Sequence, residues 1–324
     1  APKMTGTRQP ELPAGYDYDY LNAEALLSRV RVEQGRLVIP DGPAYRLLVL
    51  PPQETIRPEL LRKIRDLVAA GASILGPPPQ RSPSLQNFPA CDQEVKRLTA
   101  ELWGDLESRE GGGLAERVHG KGRVFRGKDI AEALRRLQTA PAIACPKDIL
   151  WTLRQTEDAD IYFLSNQKDQ PALSEVSFRV AGRAPEFWHP DTGVVESTVW
   201  FAPEGDRTRV PVALDPHGSV FVVFRKPAAE SPVVKVSKDG QPLAASAGSD
   251  PIRVRWRDDA GIVATVMQPG RYALTRADGR QSILDVSGLP APVTLAGPWR
   301  LQFSSGSGTP QPRDWPQLSS WSEN

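Results

Sequence analysis

Apolar residues change their spacing roughly halfway along the chain, and the two spacings predict two kinds of structure. From Tyr45 to Pro51 the run YRLLVLP is apolar almost without interruption. That is the pattern of a strand covered on both faces of a parallel sheet. In the following RPELLRKIRDLVAAG, Leu60, Leu61, Ile64, Leu67 and Val68 share one face at helical spacing. Pro58 suits the first turn of that helix and Gly71 its C-terminal stop. ASILG then reads as a second short strand. Strand, helix and strand with short joints make a βαβ unit, whose crossover is right-handed. Val95, Leu98 and Leu102 predict a helix in DQEVKRLTAELWG, and GRVFRG predicts a strand. DIAEALRRLQTA predicts a helix opened by Asp129 as N-cap. Together these elements predict a small open α/β domain over residues 16–148, with 1–15 as its lead-in.

Beyond Asp148 the period becomes two. ILWTLRQTEDADIYFLSNQ is a pair of alternating stretches around an acidic turn, which predicts a hairpin. SEVSFRVAG, APEFWHPDTG, VVESTVWFAPEG and RTRVPVALDPHGSVFVVFRK continue the alternation between Gly, Pro and Asp turns. Residues 149–228 are therefore expected to form a β-sandwich. A further β segment is expected over 229–290, with PIRVRWRDD and GRYALTRADGR as its clearest pieces. Residues 291–324 open with a strand and hold a Gly/Ser-rich turn. They end with Trp315 and Trp321, expected to be exposed and without a partner strand, as in a truncated module.

Composition narrows the function classes. A length of 324 residues fits two or three domains. Forty basic and thirty-nine acidic residues leave a net charge of +1, so there is no electrostatic footprint for nucleic acid. No apolar run approaches ~18 residues, so no transmembrane helix is expected. The first fifteen residues lack the apolar core of a signal peptide, which does not exclude export, because a signal could lie upstream. Cys91 and Cys145 are the two cysteines. One disulfide is conceivable, but two unpaired thiols packed as small hydrophobes is the plainer expectation.

Candidate chemistry is sparse. A nucleophile elbow needs glycines on both sides of its Ser or Cys, because the strand-to-helix corner tolerates only tiny flanks. PACDQEV and AIACPKD lack them. His119, His189 and His217 have no partner at metal-binding spacing; His189 and His217 fit solvated turns. The glycines from Gly111 to Gly122 lack the Gly-Lys-Ser/Thr ending of a phosphate loop, so a flexible surface loop is expected there. Glu157, Asp158 and Asp160 do not follow the calcium-loop pattern and read as a solvated hairpin turn. No carboxylate pair stands in the context of a barrel strand's C-terminal end, where glycosidases place theirs.

Several stretches, taken in order, resemble one family. GYDYDYLNAEALL, GRLVIPDGPAYRLLVLPP, LVAAGASILGPPPQRSPSL, LTAELWG, DADIYFLSN, PEFWHPDTG, GSVFVVFR and LAGPWRLQF are similar to the downstream half of glycoside hydrolase family 106, the bacterial α-L-rhamnosidases. The resemblance runs from about Gly15 to Asn324. It implies a catalytic (β/α)₈ barrel before Ala1, with the acid, the base and any calcium on that barrel and no catalytic or metal residue carried over to this chain. It implies a degenerate α/β domain resembling the class I glutamine amidotransferase (flavodoxin-like) fold, followed by β-sandwiches and the truncated start of a galactose-binding-like jelly roll. The implied partners are that barrel, the following β modules and a rhamnosylated glycan, with a periplasmic or secreted location.

Within this reading Tyr18, Asp19 and Asn22 are the candidate substrate-binding residues. Aromatic faces and paired polar groups suit sugar CH and OH groups, and GYDYDYLN would enter from the barrel. The simpler expectation is packing, with Tyr16, Tyr18 and Tyr20 on one side and Asp17 and Asp19 on the other. Two other readings remain open: a complete carbohydrate-binding or interaction protein without a barrel, and an amidotransferase- or hydrolase-like enzyme in the α/β domain.

Overall fold

The computed structural model describes residues 12–107, 113–228, 231–243, 252–257, 260–291, 293–302 and 311–318. The chain enters through α1 (Ala23–Ser28), then a hairpin of β1 (Arg31–Glu33) and β2 (Arg36–Val38), to which β3 (Ala44–Tyr45) adds an antiparallel strand. Next come β4 (Leu48–Val49), α2 (Pro58–Ala70), β5 (Ser73–Leu75), α3 (Ala90–Trp103), β6 (Ala115–His119), β7 (Gly122–Arg126) and α4 (Ile130–Arg136). The second sheet has the order β4-β5-β7-β6; β4, β5 and β7 are parallel and β6 is antiparallel. Ile74 and Val124 meet α2 and α3 on one face, while Leu75 and Phe125 meet α4 on the other. Helices thus cover both faces of the sheet, as in other α/β layers.

The helices follow the sequence. Leu61, Ile64, Leu67 and Val68 of α2 are buried, Pro58 occupies the first turn, and Gly71 closes the helix at φ 126°. Asp129 caps α4, accepting from the Glu132 amide at 2.9 Å. That helix ends at Arg136, short of the stretch predicted, because Gln138 turns to φ 51°.

Three expectations need correction. The apolar run 45–51 is not one doubly covered strand: Tyr45 belongs to β3, and Leu48–Val49 form a half-buried edge strand. An edge position leaves part of such a strand open to water. The second correction concerns 111–122, where Ala115–His119 is a strand and Gly120 and Gly122 serve close packing. A Cβ on Gly122 would lie 2.2 Å from the Ala72 carbonyl oxygen and 2.3 Å from that of Val68. One on Gly120 would lie 2.6 Å from the Ala69 Cα. The hairpin between β6 and β7 therefore lies directly on the end of α2. Gly111 and Gly112 lie outside the described residues.

The third correction is β8 (Ile143–Ala144), which pairs with a strand of the sandwich. Ala142 and Ile143 belong to the sandwich core, so the changeover precedes Asp148. The sandwich continues with β9 (Ile149–Gln155), β10 (Asp160–Asn166), β11 (Ala172–Phe178), β12 (Arg183–Trp188), β13 (Val195–Ser197), β14 (Ala202–Glu204), β15 (Arg207–Leu214) and β16 (Ser219–Pro227). Its two antiparallel sheets are β13-β12-β16-β10-β9 and β14-β15-β11-β8. Alternating residues from both enclose Tyr162, Phe178 and Phe224, with ring centroids 4.8 to 6.1 Å apart.

A third core gathers Val233, Val236, Ile252, Val254, Tyr272 and Leu274 with Val199 from the sandwich chain. Its sheet is β18-β17-β21-β22, formed by β17 (Val233–Lys238), β18 (Gln241–Pro242), β21 (Gly270–Arg276) and β22 (Gln281–Val286). The hairpin β19 (Ile252–Arg257) and β20 (Gly261–Val266) completes it. Last come β23 (Trp299–Leu301) and β24 (Arg313–Trp315), in which Trp299 opposes Trp315. Trp315 is therefore half-buried in a paired strand, not exposed and unpartnered as expected. Trp321 lies outside the described residues.

Candidate functional site

The stretch from Gly15 to Asn22 is a strap that ties the α/β half to the sandwich. The Gly15 carbonyl accepts from the Ala142 amide at 2.7 Å, at the start of the sandwich core. The Tyr16 hydroxyl donates to the Thr139 carbonyl at 2.8 Å, just beyond α4. Asp17 reaches β9, accepting from the Thr152 hydroxyl at 3.0 Å and the Leu153 amide at 3.4 Å. Burial raises the Tyr16 phenol above its ordinary pKa, against the pull of Arg179.

The three candidate sugar-binding residues sit on this strap. Asp19 accepts from the Tyr45 hydroxyl of β3 at 2.6 Å. Burial first, and then the Asp19 hydrogen bond and charge, push the Tyr45 phenol upward. Asn22 caps α1, its side-chain oxygen accepting from the Ala25 amide at 2.8 Å. Tyr18 and Tyr20 meet edge to face with centroids 5.5 Å apart. Tyr20 is 71% exposed, so the strict alternation of buried tyrosines and solvated aspartates does not hold.

Asn22 and Leu21 also line a crevice of about 370 Å³ with Leu50, Gln53, Arg57 and Pro79. Leu50 follows β4, and Gly76 and Pro77 follow β5, so the crevice opens beyond the carboxyl ends of parallel strands. Open α/β sheets bind ligands at such ends. The α3 helix holds its wall in place: the Trp103 indole donates to the Gly76 carbonyl at 3.1 Å and the Thr99 hydroxyl to the Pro79 carbonyl at 2.8 Å. Among the described residues, no Asp, Glu, His or Cys lines the crevice. It can hold a small ligand between apolar walls, and its described lining offers no acid–base pair.

The other candidates fall in ordinary settings. Cys91 is buried and Cys145 half-buried, and both thiols are free. Burial pushes the Cys145 thiol up, away from the reactive thiolate. Cys91 opens α3 well after β5 has ended, so no strand-to-helix elbow presents it. His217 sits in a turn at φ 55° beside Asp169 at 2.7 Å, His189 lies 3.7 Å from Glu196, and His119 3.9 Å from Glu101. Asp158 accepts from the Thr156 hydroxyl at 2.7 Å and Asp160 pairs with Arg183 at 3.2 Å, inside the predicted hairpin. Among the described residues, no group of three or more His, Cys, Asp or Glu could hold a metal ion, and no helix is long and apolar enough to cross a membrane.

Sequence reasoning missed one buried charge. Glu186 on β12 is 1% exposed, yet pairs with Arg225 and Lys226, each at 2.7 Å, and accepts from the Trp188 indole at 3.2 Å. Burial alone would raise its carboxyl pKa; the three donors outweigh burial and hold it below the ordinary 4.5. A depressed folded-state pKa contributes stability that is present above the unfolded value and is lost as pH falls through the folded one. In urea unfolding, Glu186→Gln is therefore expected to be less stable than the parent chain at pH 7. The gap should narrow as pH falls below 4.5, since protonation removes the same charge from the parent. A gap independent of pH would show that the charge contributes nothing there.

Comparison with known proteins accounts for this combination of parts. The family model described as alpha-L-rhamnosidase, Glyco_hydro_106, matches residues 1–202. A solved rhamnosidase from Novosphingobium sp. PP1Y superimposes with a TM-score of 0.60 at 28% identity, covering 81% of this chain and 26% of that one. A Formosa agariphila protein that carries the name beta-glucuronidase is 34% identical over 217 residues, 67% of this chain and 18% of that protein. The chain thus spans about a quarter or less of the length of these relatives. Its α/β layer, its sandwich and its match over residues 1–202 place it: the chain belongs to glycoside hydrolase family 106, the alpha-L-rhamnosidase family.

Proposed function

We propose that this chain is a non-catalytic accessory portion of a larger enzyme that hydrolyses terminal α-L-rhamnosyl linkages. One observation carries the reading: the chain matches a rhamnosidase over 81% of its own length but only 26% of that protein's. The described site agrees with it, since among the described residues no carboxylate lines the crevice at the strand ends. The α/β half reads as a degenerate relative of the class I glutamine amidotransferase fold. Parallel strands between helix layers support this, as does a Cys91 that no elbow presents. In the same proposal a catalytic barrel precedes the strap and bears the acid, the base and any calcium. The following β modules are further partners, and the protein is periplasmic or secreted. Tyr18, Asp19 and Asn22 stand at the rim of the sugar pocket.

The test is hydrolysis of an aryl α-L-rhamnoside by this chain and by the longer polypeptide its gene encodes. Turnover is expected only from the longer polypeptide; turnover by the chain alone would overturn the reading. For the rim, Asn22→Ser in the longer polypeptide keeps a capping oxygen but removes the carboxamide. KM should rise several-fold with the melting temperature unchanged. An unchanged KM would leave Asn22 as a helix cap and nothing more.

A further inference from the structure

Arginines from three separate segments gather beside the sheet β1-β2-β3, and strand register brings two of them together. In β2 and β3, Leu37 pairs with Tyr45 and Val38 with Ala44. One step along the same antiparallel register, Arg36 faces Arg46. Leu37 and Tyr45 pack into the α/β core, so Arg36 and Arg46, one position away, take the opposite and exposed face. Like charges directly opposite each other on adjacent strands are destabilising. The third arginine is Arg179, just after β11. Its amide donates to the Ala142 carbonyl at 2.9 Å and its guanidinium donates to the Ala140 carbonyl. Those contacts place it next to Thr139, on which the Tyr16 hydroxyl is seated. Tyr16 and Leu47, the residue after Arg46, pack against the same core cluster.

The trio has no counter-charge of its own. Among the described residues neither Arg36 nor Arg46 has a hydrogen-bond or ion-pair partner. The carboxylates close by are committed elsewhere. Glu33, opposite Arg36 in the β1–β2 hairpin, pairs with Arg31 at 2.7 Å. Asp17 accepts from Thr152, and Asp19 from Tyr45. Burial, and then the charges of Arg36 and Arg179, hold the Arg46 guanidinium below its ordinary pKa. An arginine whose charged neighbours are other arginines is repelled by its own chain and attracts an anion from outside it.

The number of donors selects the anion. Each guanidinium presents a planar fork that can grip two oxygens at once. A carboxylate has too few oxygens for three such forks. A sulfate or phosphate group has more oxygens, and a phosphate also carries a larger negative charge. We infer that Arg36, Arg46 and Arg179 form a binding site for a tetrahedral oxyanion, a sulfate or phosphate group, at the seam between the α/β half and the sandwich. The group comes either as the free anion or as an ester on a sugar. None of the three arginines lines the crevice at the strand ends, and the site does not depend on the proposed function.

Isothermal titration of this chain tests it, with sodium sulfate, sodium phosphate, galactose 6-sulfate, galactose 6-phosphate and sodium glucuronate in chloride buffer of matched ionic strength. Sulfate or phosphate should bind, and Arg46→Gln should weaken that binding about tenfold or more, as expected for a lost charge-assisted hydrogen bond. Arg253→Gln, which removes an exposed arginine of β19, should bind as the parent does. Tighter binding of a sugar ester supports the site and assigns it to an esterified sugar; tighter binding of the free anion supports it and assigns it to the ion. In chloride alone, Arg46→Gln should melt no lower than the parent, since it removes a charge that its neighbours repel. The inference is overturned by the absence of binding heat above the chloride background, or by binding that Arg46→Gln leaves unchanged. Glucuronate bound as tightly as sulfate also overturns it. So does melting of Arg46→Gln well below the parent, which would show that Arg46 has an attractive partner within the chain.

Discussion

Gly15→Ala is expected to destabilise the chain by about 3 kcal/mol, because two costs coincide there. The first is conformational. Gly15 has φ 82°, a region that costs a residue with a Cβ about 1–2 kcal/mol. The second is steric. The new Cβ would lie 2.3 Å from the Ile143 carbonyl oxygen and 2.7 Å from the Pro141 Cβ. The oxygen belongs to main chain and cannot rotate away. Gly182→Ala isolates the first cost, since Gly182 has φ 69° and nothing within 4 Å of the added carbon. It should lose about 1 kcal/mol. Urea unfolding of both variants decides the point; equal losses would mean that the approach of the strap to 141–143 contributes nothing. Gly15→Ala should also separate the unfolding of the α/β half from that of the sandwich. Far-ultraviolet circular dichroism and tryptophan fluorescence would then cease to coincide.

Trp103→Ala is expected to cost about 3–5 kcal/mol, the range for removing a buried aromatic side chain. Trp103 is 1% exposed at the end of α3, among Leu98, Leu102, Ile64 and Val68. Its indole also holds the Gly76 carbonyl, so the variant loses both a packed ring and the donor that fixes the crevice wall. Trp103→Phe separates the two, keeping much of the apolar volume and removing the donor. Its loss should be about 1–3 kcal/mol, the cost of leaving one buried carbonyl without that partner. The order parent, Phe, Ala in chemical denaturation is the expected result. If the Phe variant were as unstable as the Ala variant, the hydrogen bond would outweigh packing at this position.

The α2 and α3 helices, the Asp129 cap and the hairpin around Asp158 were legible in the chain. Each depends on residues within a few positions of one another, so 3.6- or two-residue periodicity and capping chemistry suffice to place it. The strap was visible as a string of tyrosines and aspartates, but not as a joint. Its partners Thr139, Ala142 and Thr152 lie more than a hundred residues away in sequence.

What only the tertiary structure decided is where each local piece ends up. The run at 45–51 is apolar enough for a central strand, yet Leu48–Val49 lies at an edge, because which strands flank it is set by long-range pairing. Ile143–Ala144 belongs to the sandwich, although it follows directly on the α/β half. Gly120 and Gly122 look like loop residues until the end of α2 is placed against them. Arg36, Arg46 and Arg179 become one group only through the register of β2 and β3 and the joint to the sandwich. Local periodicity determines which face of its own strand a side chain takes. Which other side chains share that face depends on hydrogen-bonded pairing across tens of residues, and no local window contains that information.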